Sequence, residues 1–180
     1  MVRRLGAVQA QDHAGAKWGV GTRTRGAVDA MLERAVSAGA ILRTHVLRPT
    51  WHFVAPADIR WMLTQTYWLE PATRSPRKRS PTAHLLPNYD EYFIGFKNRS
   101  AIGTRLSLAT GELAGDALRA HIIVVDGQQV GGWKRTLTKA AVVVELRPRV
   151  GLTGPEQEAV VAATQAFGAF LDLPVELRGL

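Results

Sequence analysis

Gln9 and Gln11 stand one residue apart in the stretch AVQAQDH, and Asp12 and His13 follow at once. A neutral amide cannot take a proton as a general base; it orients water or hydrogen-bonds a polar group. Two amides therefore suit a reaction whose leaving group is already activated. Side chains two residues apart share a side only on extended backbone, and on a helix they diverge by about 200°. Residues 2 to 10 read as a helix, so joint action requires that helix to end near Gln9, an ending that Asp12, His13 and Gly15 supply. The same residues also fit a surface amide at a helix end next to a loop amide in a turn. Asp12 and His13 are chemically able to act as a base, and nothing in the pattern assigns either that role.

The elements that must position these residues follow from periodicity and turn chemistry. Residues 26 to 37 form a second helix, with Val28, Met31, Leu32, Ala35 and Val36 on one stripe and Gly39 as its stop. Ile41 to Leu47 and Thr50 to Ala55 are β-rich runs separated by Arg48-Pro49, a hairpin with an arginine at its tip. Pro56 suits the first turn of another helix, whose short apolar face is Ile59, Met62 and Leu63. Helix, helix, hairpin is the order of a reduced winged helix. Alternate strand residues along the hairpin would give one polar face able to contact phosphate, or one that simply meets water while Trp51 and Phe53 enter the core.

Residues 70 to 87 change character, with four prolines and the basic run Arg74 to Arg79, and read as a linker. Arg77, Lys78 and Arg79 could track a phosphate backbone or be a solvated charge run. Beyond it, Asn88 to Ser100 is a short helical or turn segment. Residues 121 to 135 hold two β runs joined at Asp126-Gly127, a strong hairpin signal, and KAAVVVELRPR is a third strand. Thr153 and Glu156 form a capping box for a final helix with Val160, Ala163, Phe167, Phe170 and Leu171 on its apolar stripe.

Composition narrows the function classes. The chain has 180 residues, 46% hydrophobic and 21% charged, as a soluble globular protein would, and no apolar run reaches a membrane span. The start, Met1-Val2-Arg3-Arg4, leads into no signal-peptide pattern, so the expected compartment is the cytoplasm. No cysteine is present, which excludes disulfides, thiolate metal sites and cysteine nucleophiles. The spacing of His13, His45 and His52 fits no metal motif, and neither a Walker-type loop nor a nucleophile elbow occurs, so no metal or cofactor is expected. A net charge of +8 makes a polyanion a plausible partner.

Four segments in order, RRLGAVQAQDH, ILRTHVLRPTWHFVAPADIRWM, LLPNYDEYFIGFKNRS and VVDGQQVGGWKR, resemble the AlkZ-like family of winged-helix DNA glycosylases, with its YcaQ-like branch. The resemblance covers most of residues 4 to 69 and 84 to 147. It implies DNA as partner, binding through winged helices, a C-terminal β-rich unit, and a Q-x-Q or Q-x-D motif that supports excision of alkylated or cross-linked bases. Gln9 and Gln11 fall on that motif, and Arg43 and Arg48, with Thr44, Thr50 and His52, match the family's hairpin pattern, for which the resemblance implies phosphate contact. Alkylation of a purine ring nitrogen makes the base cationic and weakens its glycosidic bond, which is the activated leaving group that amides need. Tyr89, Asp90, Glu91, Tyr92, Lys97, Asn98 and Arg99 match a further family segment, readable as a groove-facing cluster or as an interface scaffold, and Trp133-Lys134-Arg135 reads as packing plus exposed charge. Material that the family carries before the Q-x-Q and between the hairpin and the L-L-P segment is missing here, which leaves a non-catalytic DNA-binding module as the alternative and a homodimer as a way to cover exposed apolar surface.

The fold expected is therefore α+β: a winged-helix-like unit at 1–69, a basic linker at 70–87, and a small antiparallel β-rich unit with a packed terminal helix at 88–180.

Overall fold

A computed structural model describes residues 1–46, 50–64, 81–94, 100–106 and 121–180. Arg48, Arg77, Lys78, Arg79, Lys97, Asn98 and Arg99 lie outside the described residues. The chain is mixed α+β, with two sheets among the described residues. The first sheet has strand order β1 (Ala7–Gln9), β3 (Trp51–Val54), β2 (Leu42–His45), all antiparallel. The second runs β4 (Ala83–Leu86), β5 (His121–Val125), β6 (Gln128–Leu137), β7 (Val142–Pro148), β8 (Val175–Arg178). Its last pair, β7 and β8, is parallel, so the C-terminal sheet is not wholly antiparallel as expected. The reason is the connection: α7 (Gly154–Leu171) crosses over between the two strands.

The N-terminus departs most from the expected helix over 2 to 10. The helix α1 (Val2–Leu5) lasts one turn, and Gly6 then takes φ 77°, a left-handed conformation that ends it. Ala7 to Gln9 continue as a strand paired with β3. Asp12, expected to close a helix, opens one: its Oδ1 accepts the Gly15 N–H at 3.0 Å and caps α2 (His13–Gly21). The following helices are α3 (Asp29–Ser37) and α4 (Ile59–Thr64), near their expected places, with α5 (Glu91–Ile94) and α6 (Ser100–Gly103) as short turns. Ala83 to Leu86, the end of the span read as linker, is a strand of the second sheet.

Helix α2 is the strut between the two sheets. Lys17 is buried and bonds Asp29 at 2.9 Å and Glu33 at 2.7 Å on α3. Burial opposes its charge, but the two carboxylates outweigh it and hold the pKa above the ordinary lysine value. The next residue, Trp18, turns its ring to Phe167 and Phe170 of α7 at centroid distances of 4.9 and 5.1 Å. Its Nε1–H donates to the Leu85 carbonyl at 2.7 Å. Trp133 of β6 packs on the other side of Phe167 and donates to the Leu86 carbonyl at 2.9 Å. Gly21 lets α2 approach: a Cβ there would stand 2.7 Å from the Phe170 ring. Buried residues from Val2 to Phe170 thus form one apolar cluster spanning both sheets.

The capping box and the hairpin behave as their sequences predict. The Glu156 carboxylate accepts the Thr153 N–H at 2.8 Å, and Arg105 beside it helps keep its pKa low. Asp126 and Gly127 both have positive φ, 46° and 81°, as a tight hairpin turn requires. Among the described residues no helix is long and apolar enough to cross a membrane.

Because one core joins the sheets, Trp18→Ala should cost about 3–5 kcal/mol. Urea unfolding followed by far-UV circular dichroism and by fluorescence should give one shared transition in wild type, moved to lower urea in the variant. Two separated wild-type transitions would show that the sheets unfold independently.

Candidate active site

Gln9 ends β1, an edge strand. Its neighbour Ala10 donates its N–H to the Trp51 carbonyl at 2.7 Å, so by antiparallel alternation the Gln9 N–H points away from β3. Glu91 meets it: Oε1 accepts that N–H at 3.2 Å from 82 residues away. The Ala10 carbonyl accepts from Arg43 Nε at 3.1 Å, and the Gln11 N–H donates to Gln9 Oε1, also at 3.1 Å. Asp12 Oδ2 pairs with Arg135 of β6 at 3.1 Å. Residues 9 to 12 are therefore pinned from β3, β2, α5 and β6 at once.

This pinning decides what each amide can offer. A backbone N–H is always a donor, so the Gln9 side chain turns its oxygen to Gln11, which uses one of that oxygen's two lone pairs and fixes which way the Nε2 donor points. Gln9 is largely buried, 6% exposed. Gln11 is exposed, with its side-chain amide unbonded among the described residues. The two glutamines stand on extended backbone leading into a helix, not on a helix that ends between them. Asp12 is spent on the cap and on Arg135, and His13 packs edge-on to Phe53 at 5.5 Å, so neither is a ready base.

The hairpin residues divide between the two faces of the first sheet. The register aligns Gln9 with His52 and His52 with Thr44, placing these three in one cross-strand row. Arg43 lies opposite Phe53, in the row of the other face. His52 is 1% exposed, with Nδ1 at 2.9 Å from the Thr50 carbonyl, so its ring is shut off from a polyanion outside. Thr44 and Thr50 are half-buried. Arg43 rests over the Trp51 ring, 4.6 Å from its centroid, while it holds Ala10.

Of the later cluster, Asp90 is buried and makes two bonds to Arg23, just past the end of α2, at 2.9 and 2.7 Å. Tyr92 donates from its hydroxyl to the Gly127 carbonyl at 2.8 Å. These two residues act as scaffold between elements, and Glu91 between them faces the glutamine motif. Sequence reasoning named Glu91 only as part of a cluster, because an 82-residue contact leaves no local signal. Among the described residues no group of three His, Asp or Glu side chains is arranged to hold a metal ion.

Next to Arg135, His121 packs edge-on against Trp133 with a 4.7 Å centroid distance. Its Nε2 is buried without a hydrogen-bond partner among the described residues. Burial first, and the Arg135 charge second, bring its pKa down from 6.5 to about 4, against a smaller opposing pull from Asp12. His121, Lys134, Arg135 and Arg178 line one side of a concavity of about 310 Å³ that also holds Glu145.

Comparison with known proteins gives two findings. A family model described as DNA glycosylase AlkZ-like matches residues 2–67 and 63–170. Among solved structures, the DNA glycosylase AlkZ of Streptomyces sahachiroi is similar over 81% of this chain, at 16% identity and a TM-score of 0.36. This chain spans 35% of that chain. No curated protein matches the sequence.

Acid should destabilise the protein through His121. The folded state binds its proton more weakly than the unfolded chain, so stability is full above about 6.5 and is lost as the pH falls towards about 4, by about 3 kcal/mol. His121→Phe keeps an aromatic ring and removes the titration. Urea midpoints measured across that window should fall less in the variant than in wild type, and equal slopes would refute the assignment.

Proposed function

The chain belongs to the AlkZ-like DNA glycosylase family, and from that premise we propose that it binds DNA and hydrolyses the N-glycosidic bond of an alkylated base. Gln9 and Gln11 are the residues proposed at the reacting bond. The observation that carries this reading is the fixed setting of the motif, in which the bond from the Gln11 N–H fixes the orientation of the Gln9 amide and Gln11 keeps a whole exposed amide.

The division of labour follows from hydrogen-bond chemistry. Cleavage breaks the bond from the sugar carbon to the base nitrogen, and the electron pair goes to the base and neutralises its cationic ring. Water then adds to the sugar carbon and loses a proton, leaving an abasic site. Gln11 orients that water, and Gln9 Nε2 donates to an oxygen of the sugar or phosphate and fixes its place. Neither step asks an amide to accept a proton.

DNA binding in this reading uses the winged-helix order of α2, α3 and the β2–β3 hairpin. Thr44, Arg48, Thr50, Arg77, Lys78 and Arg79 are the proposed phosphate contacts. Arg43 contributes its charge while bonded to Ala10. His52 is left out, because its ring is buried. A second reading, a DNA-binding module without chemistry, is favoured by one observation: Gln9 is only 6% exposed.

The test uses duplex DNA carrying an N7-methylated guanine, with abasic-site formation as the readout. Wild type should release the base, and Gln11→Ala should lower the single-turnover rate at least about 100-fold with DNA affinity within about twofold. Salt-sensitive binding without base release by wild type would leave the DNA-binding module instead.

A further inference from the structure

The glutamine motif is contributed by the N-terminal sheet, yet the group that holds its edge comes from beyond the hairpin. The Gln9 N–H is the outward-facing donor of an edge strand, where no strand among the described residues pairs with it. Left to solvent, this end of β1 would be free to fray and carry Gln11 with it. Instead Glu91 Oε1 accepts the N–H at 3.2 Å. A carboxylate is a stronger acceptor than the carbonyl that a neighbouring strand would supply.

We infer that Glu91 is the positioning residue of the glutamine motif, its carboxylate holding the Gln9 backbone so that the Gln9 and Gln11 amides keep their mutual setting. This rests on the glycosylase reading for its effect on rate, but not for the contact itself. Three features make Glu91 suited to the task.

First, its mount is rigid. Asp90 before it is buried, with two bonds to Arg23, and also accepts the Tyr92 N–H at 2.9 Å. Tyr92 after it is tied to the β5–β6 turn through Gly127, and Phe93 is 3% exposed in a small core with Leu86, Ile122 and Val124. Glu91 is thus fixed on both sides by bonds that do not involve the motif.

Second, the hold acts at one end of a chain of contacts. Glu91 fixes the Gln9 backbone; the Gln9 side chain in turn receives the Gln11 N–H. A shift of the Gln9 backbone therefore moves both amides, and displacement of about 1 Å in a positioned group can cost about a hundredfold in rate.

Third, the other acid near the motif is already occupied. Asp12 caps α2 with one oxygen and pairs with Arg135 through the other, so it cannot take over the Gln9 N–H.

An amide oxygen accepts the same bond as a carboxylate, so Glu91→Gln should rescue what Glu91→Ala loses. The experiment measures hydrogen exchange of the Gln9 amide by NMR, melting temperature, and the KM and kcat of N7-methylguanine release, all on the full chain. Gln9 should be protected in wild type and Glu91→Gln, and should exchange at least about tenfold faster in Glu91→Ala. In Glu91→Ala kcat should fall at least about tenfold while KM changes little, and Glu91→Gln should stay within about threefold of wild type. An unprotected Gln9 in wild type overturns the inference without needing any variant to fold. So does an unchanged kcat in Glu91→Ala, or a loss of kcat shared equally by both variants. Absence of base release by wild type with Gln9 protected overturns the glycosylase reading instead, and with it the rate effect, while leaving the Glu91 contact in place.

Discussion

The indole of Trp18 is the contact on which the rest of the architecture depends. It packs edge-on against Phe167 and tilted against Phe170 of α7 and donates to β4, and through Phe167 it reaches Trp133, which bonds the next carbonyl of the same strand. A buried indole N–H left without an acceptor would cost about 1–3 kcal/mol, so the Trp18 bond restricts where α2 can sit on the second sheet. Ion pairs flank α2 on both sides, Asp12 at its N-cap with Arg135 and Arg23 just past its C-cap with Asp90. A nine-residue helix is thus fastened to the second sheet at its start and middle, and the chain just beyond its end is held by the residue that precedes α5.

That fastening is what gives the glutamine motif a defined setting. The motif immediately precedes α2, so fixing the helix start fixes the chain after Gln11. From the other side β3 and Arg43 fix Ala10, and Glu91 fixes Gln9. Amides without proton-transfer ability can contribute only by placement, and placement needs a surround that does not yield. The constraint also sorts the neighbouring polar residues: those that complete the surround, such as Asp12 and Arg43, have less freedom to contact a ligand.

What could be read from the sequence was local. Thr153 and Glu156 announced α7, Asp126-Gly127 announced the β5–β6 turn, and the β-branched run after Ala141 announced β7, because each signal acts within a few residues. The helix α2 has no clear local signal, because its glycines and alanines blur the apolar stripe and because Asp12, its N-cap, equally fits the stop of a preceding helix. The strand β4 was hidden among prolines, and β8 needed knowledge of a parallel partner beyond a crossover helix. Within the site, the residue types named the chemistry, while the partners that hold them, Glu91 and Arg135, are 82 and 123 residues away from Gln9 and Asp12. Nothing in a local pattern encodes a contact of that range.

The central claim is that the pinned amides meet the reacting sugar. A duplex with a cationic pyrrolidine in place of one sugar mimics the charge that develops as the glycosidic bond breaks. Titrating it into the protein while following the glutamine side-chain NH₂ signals by NMR addresses the claim most directly. The account predicts that the Gln9 and Gln11 signals shift with the cationic duplex and much less with an unmodified one of the same sequence. Equal shifts with both duplexes, or glutamine signals unmoved while the protein is saturated, would contradict it.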